Sequence, residues 1–232
     1  RAGEIACFIY EPLLQGAGGM HIYDAEPMDE LLGMVQDAGI ICIADEVLTG
    51  FGRTGKLFAG EWLRHKADII CLSKGLTGGT MALGATVVTE RIFGAFLSDD
   101  RTKTLFHGHS FTANPLACTA ALASLDLLEK EECRKGTGAI GAAHVQFAAK
   151  IRGHARVRDV RTLGTVIAFE IGAGKDGYIN AIGPAITQQS LLNGIYLRPL
   201  GNTVYIMPPY CISMEELERV YTFLLEYIRE LG

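Results

Sequence analysis

Ile41-Cys-Ile-Ala-Asp-Glu-Val47 and Ile69-Ile-Cys-Leu-Ser-Lys-Gly75 each run through apolar residues to a charged one. The runs are continuous rather than alternating, as in strands of a parallel sheet covered on both faces. Ile5-Ala-Cys-Phe-Ile-Tyr10 and Gly84-Ala-Thr-Val-Val-Thr89 read the same way. Between Tyr10 and Ile40, the residues Met28, Leu31, Leu32 and Val35 recur at helical spacing over 28–38. The pattern predicts an α/β fold with a mostly parallel sheet. Such folds bind ligands outside the carboxyl ends of their strands, which is where Asp45 and Lys74 fall. An amine and a carboxylate at one sheet edge suit a carbonyl cofactor, held covalently at one end and electrostatically at the other.

With 232 residues, 49% hydrophobic content and a net charge of −5, the chain can bury a core as one large domain or two smaller ones. It has no block of Lys or Arg, so it carries no electrostatic footprint for nucleic acid or an anionic membrane. No apolar stretch reaches the roughly eighteen residues of a spanning helix, and Arg1-Ala-Gly-Glu4 has no signal-peptide pattern. The cysteines at 7, 42, 71, 118, 133 and 211 are scattered, without C-x-x-C spacing. They predict buried, reduced thiols and a cytoplasmic protein. His107 and His109 have no third ligand in range, so no metal is expected.

The organisation changes in the second half. A helix is expected from Leu116 through Ala121, Leu125 and Leu128 to Lys130, with Gly136, Gly138 and Gly141 set against its continuation. Strands are expected over Val157 to Ile171 and Ile195 to Met207, around a helix from Asn180 to Leu192. Ser213-Met-Glu-Glu216 is a capping box for a last helix that presents Leu217, Val220, Tyr221, Leu224, Leu225 and Ile228 on one face. Residues 1–116 are thus expected to be part of a large domain, and 117–232 a linking helix with a smaller α+β domain.

Three longer segments carry a resemblance: Asp45-Glu-Val-Leu-Thr-Gly-Phe-Gly-Arg-Thr-Gly-Lys56, Leu72-Ser-Lys-Gly-Leu-Thr-Gly-Gly-Thr-Met81 and His107-Gly-His-Ser-Phe-Thr-Ala-Asn-Pro115. Together they resemble the class III aminotransferases of pyridoxal-phosphate fold type I. Glu11-Pro-Leu-Leu-Gln-Gly-Ala-Gly-Gly-Met20, Leu197-Arg-Pro-Leu-Gly-Asn202 and Tyr205-Ile-Met-Pro-Pro-Tyr210 extend the likeness along nearly the whole chain, towards the family's biotin-pathway branch. That branch converts 8-amino-7-oxononanoate to 7,8-diaminononanoate, with S-adenosylmethionine as the expected amino donor. Another ω-amino acid, such as 4-aminobutyrate or ornithine, stays open as the substrate.

The resemblance implies pyridoxal 5'-phosphate as cofactor. It makes Lys74 the residue that binds the cofactor aldehyde and Asp45 the partner of its ring nitrogen, both catalytic. Val47, expected on the same strand face as Asp45, would pack against the ring. Ser110 stands where a hydroxyl of this family reaches the phosphate held by the neighbouring subunit, which implies a homodimer with a shared active site. Arg198 resembles the arginine that grips the remote substrate carboxylate, a task suited to a planar guanidinium, and Tyr205 would line the same pocket. Gly50 to Lys56 also fits the opening of a nucleotide phosphate loop, but Leu57 stands where Ser or Thr would hold magnesium. Leu48 departs from the smaller or polar residue usual after Asp-Glu-Val. Because the family has a long segment ahead of the first strand seen here, the chain is expected to be a C-terminal part. By itself it is expected to be a folded, non-catalytic fragment able to dimerise.

Overall fold

A computed structural model describes residues 2–172 and 181–231. Along the chain come strand β1 (Cys7–Tyr10), the two-residue strands β2 (Leu14–Gln15) and β3 (His21–Ile22), helix α1 (Ala25–Asp37), β4 (Ile41–Asp45), β5 (Ile69–Leu72) and β6 (Ala85–Val88). Helices α2 (Glu90–Gly94), α3 (Pro115–Leu128) and α4 (Glu131–Ile151) follow, then β7 (Val157–Leu163), β8 (Val166–Ile171), α5 (Ile182–Leu192), β9 (Thr203–Ile206) and α6 (Met214–Glu230). The start expected for α5 at Asn180 lies outside the described residues. Two compact units result. One comprises Arg1–Leu13, Tyr23–Phe51 and Lys56–Lys130, the other Leu14–Ile22, Gly52–Gly55 and Glu131–Gly232.

In the first unit the strand order is β1-β4-β5-β6, with β1, β4 and β5 parallel and Asp45 paired to Cys71. β6 returns antiparallel to β5. The Ser73–Gly84 connection holds only a one-turn 3-10 helix, too little for the helical crossover that a parallel return needs. Helix α1 starts at Ala25, ahead of the periodic apolar residues, because Pro27 in its first turn has no N–H to lose. It buries Leu32 and packs against β4. The apolar runs predict cover on both sheet faces, yet Ile9 keeps 60% of its surface exposed and its row partners Ile43 and Ile69 are only partly covered.

The second unit is a three-stranded antiparallel sheet, β7-β8-β9, packed with α4 and α6 around Phe147, Phe169, Ile186, Leu217 and Leu224. The apolar stretch from Val157 to Ile171 is a hairpin rather than one strand, turned at Gly164-Thr165 with Gly164 at φ +52°. A Cβ at Gly164 would collide with the Arg53 carbonyl, so only glycine fits there. The strand expected over Ile195 to Met207 shortens to β9. Pro199 has no N–H for the ladder, and the chain reverses at Gly201-Asn202, where Leu200 and Thr203 exchange backbone hydrogen bonds of 2.9 and 3.0 Å. The three glycines do not interrupt α4. Gly136 and Gly141 serve close approach, since a Cβ on either would lie 3.3 Å from the Tyr210 carbonyl or 3.0 Å from that of Gly164. The capping box of α6 forms as the sequence predicts: Ser213 Oγ accepts from Glu216 N at 3.1 Å, and Glu216 Oε2 from Ser213 N at 2.8 Å.

Several polar groups are buried in this unit, His144 among them. His144 of α4 is fully buried, with Nδ1 2.7 Å from the Tyr221 hydroxyl and Nε2 3.1 Å from the Thr165 carbonyl. A carbonyl only accepts, so Nε2 carries the hydrogen and Nδ1 accepts from Tyr221. Burial lowers the pKa of His144 to about 4, and the nearby Arg53 guanidinium adds to this, against the Thr165 hydrogen bond. The unfolded chain, with an imidazole near pH 6.5, therefore binds more protons than the folded one between these values. Stability is full above about pH 6.5 and falls as pH drops towards 4, by about 2 kcal/mol between pH 7 and 5 from this residue alone. Urea unfolding at the two pH values checks it. His144→Gln, which cannot titrate, should lack this component, and an equal loss in both proteins would assign the effect elsewhere.

Candidate active site

The pairing of Asp45 with Cys71 fixes the site, because it aligns the carboxyl ends of β4 and β5. Lys74 follows three residues after Cys71, so its backbone and that of Asp45 emerge at one sheet edge from strands about 4.8 Å apart. Ser73 Oγ donates to the Leu83 carbonyl at 2.7 Å, and Lys74 opens the 3-10 turn Lys74–Thr77 in a left-handed conformation, φ +43°. Buried Thr77 closes that loop by donating to the Met81 carbonyl at 2.6 Å. Helix α3 flanks the turn, with Ser124 Oγ 3.3 Å from the Gly75 carbonyl.

The Lys74 ammonium is exposed and has no hydrogen-bond or ion-pair partner among the described residues. Asp45 uses Oδ1 to accept from Val47 N at 3.0 Å, while Oδ2 has no partner among the described residues. That Oδ1 bond starts a turn. Val47 is therefore in the turn after β4 and not on the strand face expected from its spacing. Beneath Asp45, burial and then the Asp45 charge push the Cys71 thiol up, so this sulfur stays protonated at neutral pH.

Ser110 is exposed in the turn leading into α3, whose cap is Asn114. About 13 Å of helix rise separates Pro115 from Ser124, the point at which α3 meets the Lys74 turn. Ser110 makes no hydrogen bond to the Lys74 turn among the described residues. In the second unit Arg198 is exposed just before Pro199, and Tyr205 is half-buried in β9. They stand on either side of the turn that the Leu200–Thr203 bridge closes, and in β9 Tyr205 pairs with Ala168 of β8. Lys56, the phosphate-loop lysine of the discarded nucleotide reading, donates to the Glu61 carbonyl at 3.0 Å and lies 4.1 Å from the Trp62 ring centre. Only a one-turn 3-10 helix, Ala59–Trp62, follows it before β5. Among the described residues no three His, Cys, Asp or Glu gather as metal ligands, and no helix is long and apolar enough to cross a membrane.

The sequence reading missed Glu46. It is buried and accepts from Thr49 Oγ1, Ala59 N and Gly60 N at 2.8, 2.9 and 2.6 Å. Its signal was a carboxylate on the far side of the strand end from Asp45, followed by glycines at 50 and 60.

The family description "Aminotransferase class-III" matches residues 1–228. The chain belongs to the class III aminotransferases. Among curated relatives of this class III chain, adenosylmethionine-8-amino-7-oxononanoate aminotransferase of Synechococcus elongatus is 43% identical over 231 residues, covering 99% of this chain and 54% of the relative. The crystal structure of the enzyme of the same name from Methanocaldococcus jannaschii superposes with a TM-score of 0.92 at 36% identity, over 99% of this chain and 55% of that one. An amine transaminase from an uncultivated Pseudomonas species, solved in its PLP-bound form, gives a TM-score of 0.89 at 32% identity, over 100% of this chain and 53% of that one. These likenesses establish the fold type I architecture for this class III chain. The chain spans about half the length of the curated relatives it matches.

Proposed function

We propose that the full polypeptide carrying this chain transfers an amino group to 8-amino-7-oxononanoate, giving 7,8-diaminononanoate, with pyridoxal 5'-phosphate as cofactor and S-adenosylmethionine as donor. The observation that carries the reading is an unpartnered lysine amine and an open carboxylate oxygen at the ends of adjacent parallel strands. These groups fit the cofactor: Lys74 would hold its aldehyde carbon and Asp45 its pyridine nitrogen. When bound, the cofactor supplies an electron sink for the pair left behind when a proton leaves the substrate Cα. Asp45 would keep the ring nitrogen protonated. The Lys74 amine would take the proton from the substrate Cα as general base and could return it as acid. The substrate is drawn from the names of the curated relatives. The likeness to an amine transaminase favours a second reading with a different amine or ω-amino acid. A half-reaction decides between them. Protein loaded with pyridoxamine phosphate should react with 8-amino-7-oxononanoate, and failure there with success on succinic semialdehyde would discard the biotin-pathway substrate.

We read Ser110 as serving the phosphate site of a second subunit in a homodimer. The exposure of Ser110 supports this, as does the exposed apolar surface around it, including Phe106 at 83% and Phe111 at 67%. For the isolated 232-residue chain we propose a folded but non-catalytic fragment. A stable borohydride adduct on Lys74 together with turnover by this chain alone would overturn that. The domain division we propose keeps 1–116 with the cofactor-binding domain, and the compartment we propose is the cytoplasm.

Arg198 we assign to the remote carboxylate of the acceptor, with Tyr205 beside it. Arg198 is exposed in this chain, so Arg198→Ala should weaken acceptor binding only about two- to fivefold, less than a dry ion pair would lose. The check is selectivity: an acceptor with a neutral group in place of the carboxylate should be indifferent to the substitution. Equal weakening of both acceptors would make Arg198 a support of the fold.

A further inference from the structure

We propose that Glu46 is a positioning residue for the cofactor end of the site, setting the 46–60 loop so that Asp45 and Lys74 are held in register at the sheet edge. The proposal rests on the reading of those two residues given above and deepens it.

Glu46 keeps 1% of its surface exposed, and no Lys or Arg pairs with it among the described residues. A buried carboxylate without a counter-ion is costly unless donors satisfy it. Here three do. Oε2 accepts from Thr49 Oγ1 at 2.8 Å and Ala59 N at 2.9 Å, and Oε1 accepts from Gly60 N at 2.6 Å. A Cβ on Gly60 would stand 3.2 Å from Oε1, so the turn approaches closely because it lacks one. The backbone of Glu46 is held as well, its N–H donating to the Cys71 carbonyl at 3.0 Å and extending the β4–β5 pairing past Asp45. The residue next to Asp45 is thus fixed at both main chain and side chain.

The same loop reaches Lys74. Gly50 N donates to the Glu46 carbonyl at 3.0 Å, and a Cβ on Gly50 would lie 2.9 Å from that oxygen. The tight turn delivers Phe51, buried and at φ +59°, whose ring packs edge-on to Phe58 at 5.4 Å between centres. It also lies against Gly75, where a Cβ would meet the Phe51 side chain at 2.9 Å. Gly75 follows Lys74 directly. One carboxylate therefore organises a loop that begins at the cofactor's proposed acid partner and presses beside its proposed amine partner.

Glu46→Gln isolates the effect. An amide has one acceptor oxygen, so in either orientation its NH2 faces a backbone N–H of Ala59 or Gly60 and the loop must shift. Thr49→Val, which removes one of the three donors, is the milder second variant. In the full polypeptide, pyridoxal phosphate titration of Glu46→Gln should give a Kd weakened about tenfold, the equivalent of about one lost hydrogen bond. The pH midpoint of the bound cofactor's absorbance should move, and Thr49→Val should follow in the same direction by less. In the cofactor-free protein, hydrogen exchange should quicken in residues 45–51 and 74–79 and stay unchanged in 85–88. A lowered melting temperature with Kd within about twofold of wild type and an unmoved pH midpoint would make Glu46 merely structural. If wild type forms no borohydride adduct at Lys74, the cofactor reading fails, and exchange decides this proposal alone: unaltered rates at 45–51 and 74–79 overturn it. If Glu46→Gln does not fold, Thr49→Val is judged by the same measurements.

Discussion

Lys74→Ala in the full polypeptide should lose the borohydride-trapped adduct altogether and lower turnover by at least about 10²–10⁴-fold, the usual worth of a positioned proton carrier. The reason lies in the position of this one amine. It is exposed, has no competing hydrogen-bond or ion-pair partner among the described residues, and follows the strand whose end is registered against Asp45. Methyl for aminobutyl removes both the covalent anchor and the base. Added methylamine should restore part of the rate if proton transfer is the missing function, without restoring the adduct. Turnover retained without amine would refute the assignment of Lys74.

Asp45→Asn should separate binding from chemistry. Asparagine can still accept the Val47 N–H that now bonds Oδ1 at 3.0 Å, so the turn survives. What goes is the negative charge. An adjacent carboxylate typically raises the pKa of a cationic partner by 1–3 units, so turnover should fall about ten- to thousand-fold as the ring nitrogen loses its proton. Cofactor affinity should change far less. Rate against pH is the measurement: the variant should gain activity towards acid, where solvent supplies the proton, and a profile superimposable on wild type would leave Asp45 with a structural role only.

Much of this site was legible in the sequence because it is tied to strand ends, and short continuous apolar runs mark strand ends well. The four strands of the first sheet fall within a residue or two of where those runs predict, three of them trimmed and β4 shifted by one. The orientation of β6 was not legible, since direction depends on what the connection can span and not on the strand's own residues. Val47 shows a different failure. Alternation puts i and i+2 on one face only while the strand lasts, and the Asp45 carboxylate ends it by capturing the Val47 N–H. The glycines of α4 mislead for a third reason: propensity counts their cost within a helix but not the close approach of the Gly164 and Tyr210 carbonyls. Glu46 escaped notice because a carboxylate beside a functional carboxylate reads as solvent-facing, and its three donors come from residues up to fourteen positions away.

The left-handed backbone at Lys74 sets two demands on that position against each other. A φ of +43° is comfortable for glycine and tolerable for asparagine, while a lysine there costs about 1 kcal/mol or more. With the role proposed for Lys74, heat resistance and chemistry favour different side chains at one residue. A screen that rewards only survival at high temperature would be drawn to the substitution that removes the amine, and its most robust clones would be the ones least able to move a proton.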